Sequence, residues 1–98
     1  MKRTSTAADK RHLASVAALG CIVCSHCHGH QDTPSQVHHV RVSHGWGRSG
    51  HTMTIPLCPE HHTGASGVHS MGRAEFEYLH GYSEIDLLAI VHAQMGIE

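Results

Sequence analysis

The sequence predicts a small α+β domain in which a strand pair, pinned by a metal ion, is flanked by helices. Three observations lead there. Two short segments rich in β-branched residues, VHHVRV (37–42) and TMTIPL (52–57), face each other across the turn-rich run SHGWGRSG. Two chelating pairs, Cys21-x2-Cys24 and Cys58-x2-His61, bracket those segments. Apolar residues recur at helical spacing near both ends of the chain.

The 98 residues predict one domain, 1–98, with a modest core, since the chain has one Phe, two Tyr and one Trp. A structural metal adds stability that so small a core lacks, and thirteen His and four Cys offer the ligands. A formal net charge of −1 removes any bulk electrostatic argument for nucleic-acid binding. Lys2, Arg3, Lys10 and Arg11 cluster near the N-terminus, as a phosphate-touching arm or equally as a solvated tail; Arg41, Arg48 and Arg73 are the remaining cations. No apolar run reaches membrane-spanning length and no signal-peptide apolar region is present, which predicts an untagged cytoplasmic protein without membrane contact. In a reducing compartment a Cys-x-x-Cys reads as metal or redox chemistry rather than a disulfide framework.

Residues 1–5 read as a loose tail. A helix is predicted from about Ala7 to Leu19, with Leu13, Val16 and Ala17 on one face and Gly20 as its stop. Cys21 to Pro34 reads as a knuckle and loop holding Cys27, His26, His28 and His30 besides the first pair. The two β-branched segments then pair as a hairpin with a long loop, Pro56 marking an edge or a strand end. Pro59 suits the first position of a short helix through CPEHH, and Gly64 to Gly67 breaks that pattern. A helix follows from about Arg73 to His80, stopping near Gly81. The last helix is capped by Ser83, carries Glu84 and Asp86 in its first turn, and predicts an apolar face of Ile85, Leu88, Val91 and Met95.

Cys21, Cys24, Cys58 and His61 together suit one closed tetrahedral site, and thiolates with imidazole suit Zn²⁺. Three alternatives stand beside that reading. Cys27 competes as a ligand, because Cys24-x2-Cys27 has the same gap; His62 can replace His61; and a redox Cys-x-x-Cys is a different chemistry altogether. His38 and His39 are neighbours on a predicted strand, so they point to opposite faces, which suits one metal ligand and one base. His62 turns about 100° from His61 on a short helix, and so aims away from the staple. His69, after the glycine-containing loop, can reach the same second ion. His12, His80 and His92, and the cluster His26, His28 and His30, read as surface or hydrogen-bonded histidines.

Taken together, HLASVAALGCIVC, VHHVRVSHGWG, TIPLCPEHH and GVHS resemble the phage Ref family of RecA-dependent, HNH-type nucleases, over about residues 12–82. The resemblance implies a ββα-metal (HNH-like) fold, a structural zinc and endonucleolytic cleavage of DNA. It also implies His38 as ligand of the catalytic metal (Mg²⁺, Mn²⁺ or Zn²⁺), His39 as general base and His62 as a second ligand, with His44 and His69 in matching stretches. The chain departs from the pattern in containing no Asn, so the central residue of H-N-H is missing, and His51 stands where relatives often carry Asp. Either His51 or Thr54 is then left to orient the base or touch the metal. The chain begins close to the nuclease core, which argues against dependence on a recombinase filament. Arg41 and Arg48 are placed to hold neighbouring phosphates.

Three functions therefore compete: a metal-dependent DNA endonuclease, a non-catalytic zinc module that binds nucleic acid or a recombination protein, and a metal-handling protein that uses its His-rich loop.

Overall fold

A computed structural model describes residues 6–40 and 53–96. The predicted tail over 1–5, and Arg41, His44, Arg48 and His51, lie outside the described residues. The first helix, α1 (Ala7–Ala18), starts where the sequence indicates. Thr6 Oγ1 accepts from the Asp9 amide while the Asp9 carboxylate accepts from the Thr6 amide, each at 3.0 Å, a reciprocal cap for two orphan donors.

The stretch expected to be a knuckle and loop is helical over its first half, α2 (Ile22–His28). Cys21 caps it, with Sγ accepting from the Cys24 amide at 3.5 Å, and Gly29 ends it in the left-handed region at φ 71°. A thiol is a weak acceptor, so a cysteine cap gives a poor sequence signal, and the helix is marked only by its closing glycine.

Strands β1 (Gln36–His39) and β2 (Thr54–Leu57) pair antiparallel, with Gln36 opposite Leu57, Val37 opposite Pro56, His38 opposite Ile55 and His39 opposite Thr54. The Val40 amide donates to the Met53 carbonyl at 2.7 Å and carries the pairing one step further. Each strand of a two-stranded sheet is an edge strand, the setting that tolerates Pro56. All four residues of β2 are buried, because α1, α2 and α6 (Glu84–Met95) all pack on it.

Beyond β2 the chain turns straight into α3 (Pro59–His62), with Pro59 in its first turn as expected. A short helix that the sequence did not announce, α4 (Val68–Met71), follows the glycine break, and then come α5 (Arg73–His80) and α6. The expected face of α6 needs correction. Leu87, Leu88 and Val91 are buried with Glu84, whereas Ile85 is 49% exposed. Positions 84, 87, 88 and 91 form one stripe at helical spacing, and Ile85 lies about 100° around the axis from Glu84. Phe76, Leu87, Ile55, Leu57, Val40 and Val91 are fully buried at the centre of the core. The elements make an α+β fold of the ββα-metal type: a strand pair, a short helix at its end, and flanking helices.

Candidate metal centres

Cys21, Cys24, Cys58 and His61 come together as a buried cluster that can hold a metal ion. Cys21 stands at the start of α2 and Cys24 one turn along it; Cys58 caps α3 and His61 lies within it. A tetrahedral ion with bonds of about 2.3 Å to sulfur and about 2.0 Å to nitrogen holds two sulfurs about 3.8 Å apart, and sulfur and nitrogen about 3.6 Å apart. Cys24 Sγ and Cys58 Sγ are separated by 3.8 Å. His61 Nδ1 lies 3.6 Å from Cys21 Sγ, 3.6 Å from Cys24 Sγ and 3.2 Å from Cys58 Sγ. The chain thus folds into the ligand spacing of one four-coordinate ion. Burial pushes the Cys21 thiol up to about 12 and raises Cys24 in the same way. Burial, then the neighbouring His80 and His28, hold His61 below the usual histidine range, which keeps its ring neutral.

The two alternative ligands point elsewhere. Cys27 Sγ faces the His80 carbonyl at 3.8 Å, and His62 belongs to a second cluster. His28 and His80 gather around His61, with ring centroids 5.8 and 5.1 Å from it and 6.4 Å from each other. That grouping is looser, and His80 Nε2 already donates to the Ser66 carbonyl at 3.1 Å. His26 packs edge-on against Tyr82, and His30 is exposed.

The second cluster joins His38 of β1, His62 of α3 and His69 of α4. Three imidazoles that share one ion at about 2.0 Å place their ring centroids about 5 Å apart. The observed separations are 5.2 Å for His38 and His62, 5.0 Å for His38 and His69, and 4.7 Å for His62 and His69. His62 Nε2 and His69 Nε2 face each other at 3.1 Å. Burial, then the adjacent His38 and His69, lower the His62 pKa, favouring the neutral ring that can act as a ligand. His38 is 7% exposed, and its Nε2 is buried without a hydrogen-bond partner, a feature that asks for a ligand or a missing contact. Glu84 Oε2 is 3.4 Å away, within charge contact but not in hydrogen-bond geometry.

These rings open onto a cleft of about 540 Å³ that is also bordered by His39, Arg73 and Glu84. His39 is exposed at this cleft, next along β1 from His38, and Thr54 is buried opposite it in register. The sequence reading missed three residues here. Gln36 accepts from His62 Nδ1 at 2.7 Å, Glu84 faces His38, and Arg73 borders the cleft. Gln36 carried no signal at all. Glu84 did carry one, as a charge in register with the buried stripe of α6.

The fold and its two clusters define a ββα-metal protein. A family model described as recombination enhancement, RecA-dependent nuclease, matches residues 5–95, and the chain belongs to that family. Membership makes it a nuclease of recombination with a nucleic-acid substrate. RecA is part of the family's description, which supports a recombinase partner that the sequence alone left in doubt. No curated protein matches the chain. No helix among the described residues is long and apolar enough to cross a membrane.

Proposed function

We propose that this chain is a metal-dependent DNA endonuclease of the HNH type that cleaves DNA in RecA-linked recombination. The observation that carries the reading is the convergence of His38, His62 and His69 at an open cleft with His39 on its border. A divalent ion there (Mg²⁺, Mn²⁺ or Zn²⁺) would supply Lewis-acid stabilisation of charge on the scissile phosphate and the leaving oxygen. His38 and His62 would hold it, with His69 as a third ligand. His39 acts as general base: it takes the proton from the water that attacks phosphorus. Either Thr54, opposite His39 in register, or His51 orients the base or touches the metal, and His44 has a supporting role. Arg41 and Arg48 hold flanking phosphates. Cys21, Cys24, Cys58 and His61 hold a structural Zn²⁺, the ion that best suits three thiolates and an imidazole. The working site of such an enzyme is the cytoplasm of a bacterial host, in a phage or prophage setting.

One observation favours a second reading, a non-catalytic zinc module that binds nucleic acid or a recombination protein. The chain has no Asn, so the middle residue of the H-N-H pattern is missing. Nicking of supercoiled DNA separates the two. Protein that retains its structural metal is assayed with Mg²⁺, Mn²⁺ or Zn²⁺, on naked DNA and on RecA-coated DNA, beside His39→Ala. Metal-dependent nicking by the wild type alone is expected. Equal cleavage by His39→Ala removes the base assignment, and no cleavage on either substrate favours the binding module.

A further inference from the structure

We propose that Gln36 and Glu84 are positioning residues of the three-histidine centre, holding His62 and His38 in the orientation that an ion requires. The proposal rests on reading His38, His62 and His69 as a metal site.

Gln36 opens β1 and is exposed, yet its Oε1 lies 2.7 Å from His62 Nδ1. An amide oxygen only accepts, so Nδ1 carries the proton and Nε2 keeps its lone pair. That lone pair is the one directed toward His69, 3.1 Å away. A metal-binding histidine typically donates its second ring N–H to such an acceptor, which fixes both tautomer and ring angle.

Glu84 poses a sharper question, because it is 8% exposed on a helix face otherwise made of Leu87, Leu88 and Val91. Burying a carboxylate is costly unless something compensates. The helix start does not need it: Ser83 and Asp86 already form the cap, through bonds of 3.0 and 3.1 Å. Its Oε2 instead faces His38 Nε2, the buried nitrogen without a hydrogen-bond partner, at 3.4 Å. At that separation the carboxylate favours a proton on the ring nitrogen that faces it. The carboxylate then fixes the proton on Nε2 and leaves Nδ1 of His38 as the ligand atom.

Cobalt tests this without reference to cleavage. Co²⁺ is titrated into protein that retains zinc at the cysteine cluster, and its visible absorption reports the histidine site. Gln36→Ala and Glu84→Ala are each expected to weaken Co²⁺ binding about 10–100-fold, with zinc content and thermal midpoint checked alongside. Glu84→Gln keeps an acceptor oxygen and is expected to recover most of the loss. Unchanged affinity in both alanine variants overturns the proposal. A Glu84→Gln protein as weak as Glu84→Ala makes Glu84 a direct ligand and overturns its positioning role. Should Glu84→Ala fail to fold, the exposed Gln36 still decides the matter. A wild type that binds no Co²⁺ at this site overturns both the metal reading and the proposal. Normal binding without nuclease activity overturns only the proposed function.

Discussion

His61 and His62 are adjacent in α3 but serve different clusters: His61 turns Nδ1 onto three cysteines, whereas His62 turns Nε2 onto His69. Successive helical residues diverge by about 100°, so one short helix can hold two centres apart. The two positions should therefore fail differently. His61→Ala removes a ligand from the buried cluster and is expected to abolish cooperative folding. His62→Ala, at a partly exposed position, should shift stability by no more than about 1 kcal/mol and remove the second ion with nuclease activity. Circular dichroism melts and metal content of both variants check this; matching losses in the two would merge the centres into one.

Metal removal should unfold the domain. A structural zinc contributes about 10 kcal/mol or more in small domains, and a domain of this size has a net stability of about 5–15 kcal/mol, so the ion is decisive. Cys58→Ser and strong chelation are both expected to abolish the thermal transition. The pH dependence follows from Cys21, whose thiol burial raises to about 12. Without metal it keeps its proton at neutral pH, and binding must expel it. Affinity therefore falls as pH falls and strengthens as pH rises, with protons released on rebinding. An indicator dye in weak buffer measures that release; zinc uptake with no release would contradict it.

The cysteine cluster was legible because chelation imposes a spacing that survives in the sequence. Cys21, Cys24, Cys58 and His61 stand at chelating spacing in the sequence. The adjacent pairs His38–His39 and His61–His62 marked a second grouping, but which of His38 and His39 joins it was implied only by the family resemblance. Gln36 was not, because a single hydrogen bond between β1 and α3 leaves no periodicity. The caps of α1 and α6 were written in Thr6–Asp9 and Ser83–Asp86, although only the second was read. α2 escaped because its cap is a cysteine, and α4 because four residues are too few to show a repeat.

The corrected face of α6 gives a paired prediction. Leu87 is fully buried against the core and Ile85 is 49% exposed. Leu87→Ala should cost about 2–5 kcal/mol through lost burial and the cavity left behind. Ile85→Ala should change stability by less than about 0.5 kcal/mol. Urea denaturation of the metal-loaded protein measures both, and a larger loss at Ile85 would restore the face first read from the sequence.

The link between α3 and α4 runs through Gly67. A Cβ there would sit 2.7 Å from the His62 carbonyl carbon and 2.8 Å from its oxygen, closer than real side chains come. The neighbouring atoms are backbone, so relief requires the two helices to separate rather than a side chain to swing away. Gly67 lies just before α4, which carries His69, and packs on the residue that carries the facing imidazole. Gly67→Ala is therefore expected to cost about 1–3 kcal/mol of stability and to widen the gap between His62 and His69. The cysteine cluster, held by Cys21 and Cys24 at the start of α2, by Cys58 at the far end of α3 and by His61 on a different side of that helix from His62, should keep its ion. Cobalt titration beside zinc content reads both effects in one sample. A weakened histidine site with full zinc content is the expected result; loss of zinc first would mean that the strain passes along α3 to Cys58 and His61 instead.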